Sequence, residues 1–120
     1  MLNNSHLINI DLTPEYRRNL KDLAKKYRNI RSDTQSVIED LQKGVIVGDR
    51  LVGFGSEIYV YKLRVKNSNI QKGKSAGYRL IYLLESETSI LLLTIYSKAE
   101  KEDITVGDIN SILGEYFREE

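Results

Sequence analysis

From Leu7 to Leu12, Leu7 and Asn9 alternate with Ile8, Ile10 and Leu12, the period of two that a strand with one buried face requires. Thr13-Pro14-Glu15 then reads as a helix start, with a hydroxyl to cap free N–H groups, a proline at the first helical position and an acid in the first turn. Tyr16, Leu20, Leu23 and Tyr27 follow at spacings of four, three and four, so they line one helical face. Arg17, Arg18, Lys21, Asp22, Lys25 and Lys26 stay on the solvated side. A second helix is expected from Ser32 or Asp33 to Lys43, burying Val37, Ile38 and Leu41 and ending at Gly44 as a left-handed cap. The two helices form an α-hairpin.

Gly44 to Gly55 holds four glycines around Asp49 and Arg50, an irregular connection with a short strand expected around Val45–Val47. The period then returns to two. Strands are predicted over Glu57–Val65, Gly77–Leu84 and Ser89–Tyr96, joined by Asn67-Ser68-Asn69 and Glu85-Ser86-Glu87 and pairing antiparallel. In the first of them Tyr59, Tyr61, Leu63 and Val65 alternate with Ile58, Val60, Lys62, Arg64 and Lys66, which puts the basic side chains on one face. Thr105 with Asp108 three residues on forms a capping-box variant for a last helix, Val106–Phe117, with Ile109, Ile112, Leu113 and Tyr116 on one stripe. The fold class predicted is α+β: one domain over 1–120, an N-terminal strand and α-hairpin packed on a small antiparallel sheet, with a C-terminal helix.

Composition narrows the chemistry more than the fold. A chain of 120 residues, 41% hydrophobic and 29% charged with one proline, fits a globular domain with a single modest core. The absence of cysteine excludes disulfides and thiolate metal sites, and a lone histidine excludes a His-based zinc site or a Ser-His-Asp triad. The opening Met-Leu-Asn-Asn-Ser-His has neither a basic n-region nor a following apolar h-region. The run Ile90–Ile95 is too short to span a bilayer. A cytoplasmic protein with no membrane partner is expected.

Charge is distributed unevenly. The net charge is +1, yet Lys62 to Arg79 carries six basic residues and no acid, the footprint of a surface that meets phosphate. Antiparallel pairing brings Lys98 toward Lys72, Lys74 and Arg79, four cations around a shallow groove. Crowding lowers a lysine pKa toward the range of a proton acceptor, and the planar guanidinium of Arg79 suits the pentacoordinate phosphate formed when a ribose 2′-OH attacks. The same run of charge also fits a solvated face or a dock for an acidic partner. Tyr82 and Tyr96 suit stacking on a splayed base, or a half-buried core position. Lys62, Arg64 and Lys66 extend the basic face as RNA-binding candidates. Glu100, Glu102 and Asp103 fit a solvated loop more simply than a Mg²⁺ site, and Gly73 and Gly77 lack a GxGxxG or Walker pattern. No cofactor is expected.

Two segments carry a resemblance. Gln71-Lys-Gly-Lys74-Ser-Ala-Gly-Tyr78-Arg79-Leu-Ile-Tyr82 and Leu93-Thr-Ile-Tyr96-Ser-Lys98-Ala-Glu-Lys-Glu-Asp103-Ile resemble the RelE/ParE superfamily of bacterial type II toxins, nearest its RelE and HigB branches. The opening Ile10-Asp-Leu-Thr-Pro14-Glu-Tyr16 and the α-hairpin extend it over most of the chain. The resemblance implies a fold similar to the microbial RNases and cleavage of mRNA in the ribosomal A site, without metal, under control of a cognate antitoxin. It implies that Lys72 and Lys74 contact the scissile phosphate and assist proton transfer, that Arg79 stabilises the transition state and that Lys98 closes the groove, with Tyr96 positioning a base. Ala99 stands where the prototype has an arginine, and Thr105 near where it has a catalytic tyrosine, so the general acid is unassigned. The ParE branch implies a different activity, inhibition of DNA gyrase by binding, and a non-catalytic RNA-binding module of the same fold is a third reading.

Overall fold

Thr13 joins three elements of the fold. Its hydroxyl oxygen accepts from the Tyr16 N–H at 2.9 Å, capping helix α1 (Pro14–Lys26), and donates to the Leu93 carbonyl at 2.7 Å. Its backbone N–H donates to the Leu92 carbonyl at 3.1 Å. The residue is 1% exposed, so the helix cap is also a buried stitch between the end of strand β1 (Asn9–Leu12) and strand β5 (Ser89–Ser97).

The computed structural model describes residues 7–70 and 76–118. After β1 and α1 come α2 (Ile30–Gln42), β2 (Asp49–Arg50), β3 (Val60–Val65), β4 (Tyr78–Leu84), β5 and α3 (Val106–Arg118). The five strands form one sheet in the order β1-β5-β4-β3-β2. All neighbouring pairs are antiparallel except β1, which runs parallel to β5 with Ile10 opposite Ile90. That pairing follows from the connection: β1 leaves the sheet through the α-hairpin and the chain returns to its side only at β5.

The predicted elements are present with shifted ends. Helix α2 begins at Ile30 because that side chain is fully buried. Asp33, read as a helix start, lies in its first turn and accepts instead from Ser68, at 2.9 Å from the N–H and 3.1 Å from the hydroxyl. Gly44 takes the left-handed φ of 88° expected of the cap. The short strand forms at Asp49–Arg50 and not at Val45–Val47. A Cβ on Gly48 would lie 2.7 Å from the Lys62 carbonyl oxygen, so the chain reaches β3 at a residue that has none, and pairing starts immediately after it. The capping box of α3 is made as predicted: the Asp108 N–H donates to the Thr105 hydroxyl at 3.0 Å and the Thr105 N–H to the Asp108 carboxylate at 3.2 Å.

The sheet separates two apolar layers. Tyr16, Leu23, Ile30 and Leu41 of the hairpin pack on Leu63, Val65, Tyr78, Leu80, Tyr82, Ile90, Leu92 and Ile95. On the other face Phe54, Val60, Ile81, Leu83, Leu91, Leu93, Tyr96 and Ile109 form a second cluster, flanked by Ile112, Leu113 and Tyr116 of α3. The face that alternation marks as basic is therefore not basic throughout: α3 covers its apolar part, and the cations stand level with Tyr96 and beside it. Register between β4 and β5 slips at Ile81/Tyr82, whose partners are Thr94 and Leu92. Leu93 is thereby left as the extra residue of a bulge, and its carbonyl is the one Thr13 takes.

Replacing Thr13 with alanine removes the cap of α1 and leaves the buried Leu93 carbonyl short of a donor. We expect a loss of about 2 kcal/mol, read from urea unfolding, with Thr13→Ser recovering most of it. Equal stability of the alanine variant and the wild type would contradict this role.

Candidate nucleic-acid interface

The strands set a row of side chains across the sheet. Arg64 of β3 lies directly opposite Arg79 of β4, and Arg79 directly opposite Tyr96 of β5. Cross-strand partners share a face, so these three stand side by side where the α3 layer ends. One strand position away on the same face, Lys62 pairs with Ile81. The start of β4 presses on β3: a Cβ on Gly77 would meet the Val65 carbonyl oxygen at 2.1 Å. Only glycine permits that approach, which places Arg79 in register with Arg64.

Like charges directly opposite each other cost stability. Arg64 is exposed and makes no ion pair among the described residues. Arg79 is 6% exposed and forms the floor of the strip, with Nη1 donating to the Tyr78 carbonyl at 3.3 Å. Tyr96 is 7% exposed and its buried hydroxyl has no partner at hydrogen-bonding distance. Burial pushes that phenol up to about 12, the nearby Asp103 carboxylate adding to the effect and Arg79 opposing it. Asp103 acts on the hydroxyl through its charge at longer range rather than through a formed hydrogen bond.

The loop after β5 supplies the acid. Asp103 Oδ1 accepts from the Ile104 N–H at 2.8 Å and lies 3.4 Å from Lys62 Nζ. The Ile104 N–H first, and then the charges of Lys62 and Lys98, hold its carboxyl below the usual range. Lys98 Nζ donates to the Glu102 carbonyl. Glu100 turns away to pair with Lys26 at 2.9 Å. Glu100 and Asp103 thus each pair with a lysine, and among the described residues no group of three His, Cys, Asp or Glu gathers to hold a metal ion.

The predicted site residues separate into those the fold brings together and those it does not. Lys62, Arg64, Arg79 and Tyr96 share the strip, with Lys66 exposed just past the end of β3 and Lys98 just past β5. Lys72 and Lys74 lie outside the described residues. Tyr82 is a correction to the base-stacking expectation: it lies on the hairpin face, fully buried, stacked on Tyr61 at 5.4 Å between centroids, with its hydroxyl donating to the Val47 carbonyl. No base reaches that ring in this structure. Its position follows from the period of two, which puts residue 82 with 78 and 80 and opposite 79.

Sequence reasoning missed two concave regions of about 390 Å³ each. One lies between the start of α1 and α3, beside Glu15, Arg18, Glu115 and Tyr116. The other follows α1 along β5, beside Asn19, Asp22, Lys26, Tyr96 and Lys101. Both are built from residues far apart in the chain, and both mix acids with bases, so neither concentrates one sign of charge.

No protein-family model matches the sequence, and no curated protein matches it. Among solved structures, a mutant of the E. coli toxin RelE in the free state is similar, with a TM-score of 0.49 and 18% identity over 94% of this chain and 97% of that chain. A likeness at that identity and fit assigns neither family nor activity to this chain.

Tyr16, Tyr78, Tyr82 and Tyr96 all have phenols raised by burial, those of Tyr16 and Tyr96 to about 12. An unfolded tyrosine ionises near about 10, so above that value the unfolded chain releases protons that the native one retains. The stability contributed is whole below about pH 10 and is lost as pH rises through the folded-state values. Urea unfolding with tyrosinate absorbance from about pH 8 to about pH 11 should show midpoints falling above about pH 10, these four phenolates appearing only as the fold melts. Full ionisation of all eight tyrosines in a protein that remains folded would contradict the burial described.

Proposed function

We propose that this chain is the toxin of a type II toxin–antitoxin system, a metal-independent endoribonuclease that cleaves translated mRNA at the ribosome, inhibits translation and is held in check by a cognate antitoxin. The observation that carries the reading is the row Arg64, Arg79 and Tyr96 with Lys62 and Lys98 beside it. Two arginines opposed across a strand pair set two guanidinium groups side by side, a pairing that suits an anion, and a phosphodiester is an anion of suitable size and charge. The Gly-Tyr-Arg and Tyr-Ser-Lys segments that resemble the RelE-like toxins supply the floor and the far end of this row.

The reaction needs a base to take the 2′ proton, cations to stabilise the phosphorane and an acid for the leaving oxygen. The 2′ oxygen bonds to phosphorus, the bond to the 5′ oxygen breaks, and the products are a cyclic phosphate and a 5′ hydroxyl. Arg79 stabilises the charge that develops on the phosphoryl oxygens, with Arg64 and Lys98 holding the flanking backbone. Lys72 and Lys74 take the proton-transfer roles that the resemblance gives them. Ala99 has no functional group and the Thr105 hydroxyl is engaged in the α3 cap, so neither serves as the acid. Tyr96 stays neutral to about 12, and with its hydroxyl buried its part is to hold the floor of the strip beside Arg79.

Primer extension on a defined mRNA, with and without programmed ribosomes, tests the reading. The wild type should cleave only with ribosomes, and Arg79→Ala should lose at least about 100-fold, the scale of removing one transition-state stabiliser. Arg79→Lys, which keeps the charge in the buried position but loses the planar fork, should fall between them. Thermal melting confirms that each variant is folded. A folded wild type that cleaves in neither condition contradicts the reading, and inhibition of DNA gyrase by the same protein would replace it.

A further inference from the structure

The cationic strip already has one of the protein's own carboxylates beside it. Asp103 Oδ1 is 3.4 Å from Lys62 Nζ, feels the charge of Lys98, and stands near the buried, unpartnered hydroxyl of Tyr96. A carboxylate offers what a phosphate offers there, an anionic oxygen that accepts charge-assisted hydrogen bonds. The loop that carries it is tied down on several sides. The Ser97 carbonyl accepts from the N–H groups of Glu100 and Lys101 at 3.0 and 2.9 Å, Glu100 pairs with Lys26 of α1, and Lys101 approaches Asp108 of α3 at 4.0 Å. Asp103 is thus held in position, but its side chain is 66% exposed, and an ion pair that open to water is weak enough to exchange.

We infer that Asp103 is a built-in counter-anion of the strip, a competitor that any nucleic-acid phosphate must displace from Lys62 and that sets the affinity of the site. The inference rests on the nucleic-acid reading proposed above and adds its regulation. In the free protein the carboxylate neutralises Lys62. In the complex a phosphate takes its place, and Asp103 is released into solvent while its loop keeps the Lys26, Ser97 and Asp108 ties.

The test is fluorescence anisotropy with a single-stranded oligoribonucleotide of about eight nucleotides, over a range of salt, on the full chain. Asp103→Asn keeps an acceptor for the Ile104 N–H and removes only the charge. It should bind at least about fivefold more tightly at low salt, with a salt slope steeper by about 0.7, the signature of one further cation meeting phosphate on a single strand. Adding Lys62→Gln to that variant should abolish both gains. Glu102→Gln removes the same charge one residue away and should stay within about twofold of the wild type. Binding by the wild type with no gain in Asp103→Asn, or an equal gain in Glu102→Gln, overturns the inference and leaves the nucleic-acid reading standing. No binding by either the wild type or Asp103→Asn overturns both.

Discussion

A strand buried on both faces can carry charge only where its covering layers end. Strand β5 is such a strand: every residue from Ile90 to Ser97 is buried, with the α-hairpin layer on one side and the α3 layer on the other. Unpaired charge inside those layers would cost several kcal/mol. The cations of β3 and β4 are therefore gathered toward one end of the sheet, around Tyr96. Thr13 sets the other boundary, because its bonds to the Leu92 and Leu93 carbonyls end the pairing of β1 and send the chain into α1. The candidate site lies where this packing stops.

At that rim the sequence departs from what stability alone would select. Tyr96 with a buried hydroxyl that meets no acceptor and a glycine at 77 that no side chain could replace without meeting the Val65 carbonyl are two local costs at one end of the sheet. Costs gathered in one place are the usual mark of a binding site. Asp103 offsets part of the charge without covering the strip, because its side chain is 66% exposed.

Much of this was legible in the sequence, and the exceptions have physical causes. The Thr13-Pro14 start, the Thr105/Asp108 box and the Gly44 cap were readable because each is made by residues within four positions of one another. The basic face of β3 was readable from the period of two. The depth of Arg79 was not, since it depends on how far α3 and the loop after β5 extend over the face. Nor was the orientation of Tyr82, whose ring shares the hairpin face with Tyr78 and Leu80; alternation along β4 held that information, but charge drew the reading to both tyrosines alike. The pairing of Asp103 with Lys62 joins residues 41 positions apart, and no local pattern announces it.

The most direct test of the central claim, that nucleic acid meets the rim formed by the ends of β3, β4 and β5, is an amide NMR titration of the labelled protein with single-stranded RNA. The account predicts shifts concentrated at Lys62, Arg64, Arg79, Tyr96, Lys98 and Asp103, with the amides of α1 and α2 unmoved. Shifts confined to the helical hairpin, or none at saturating RNA, would contradict it.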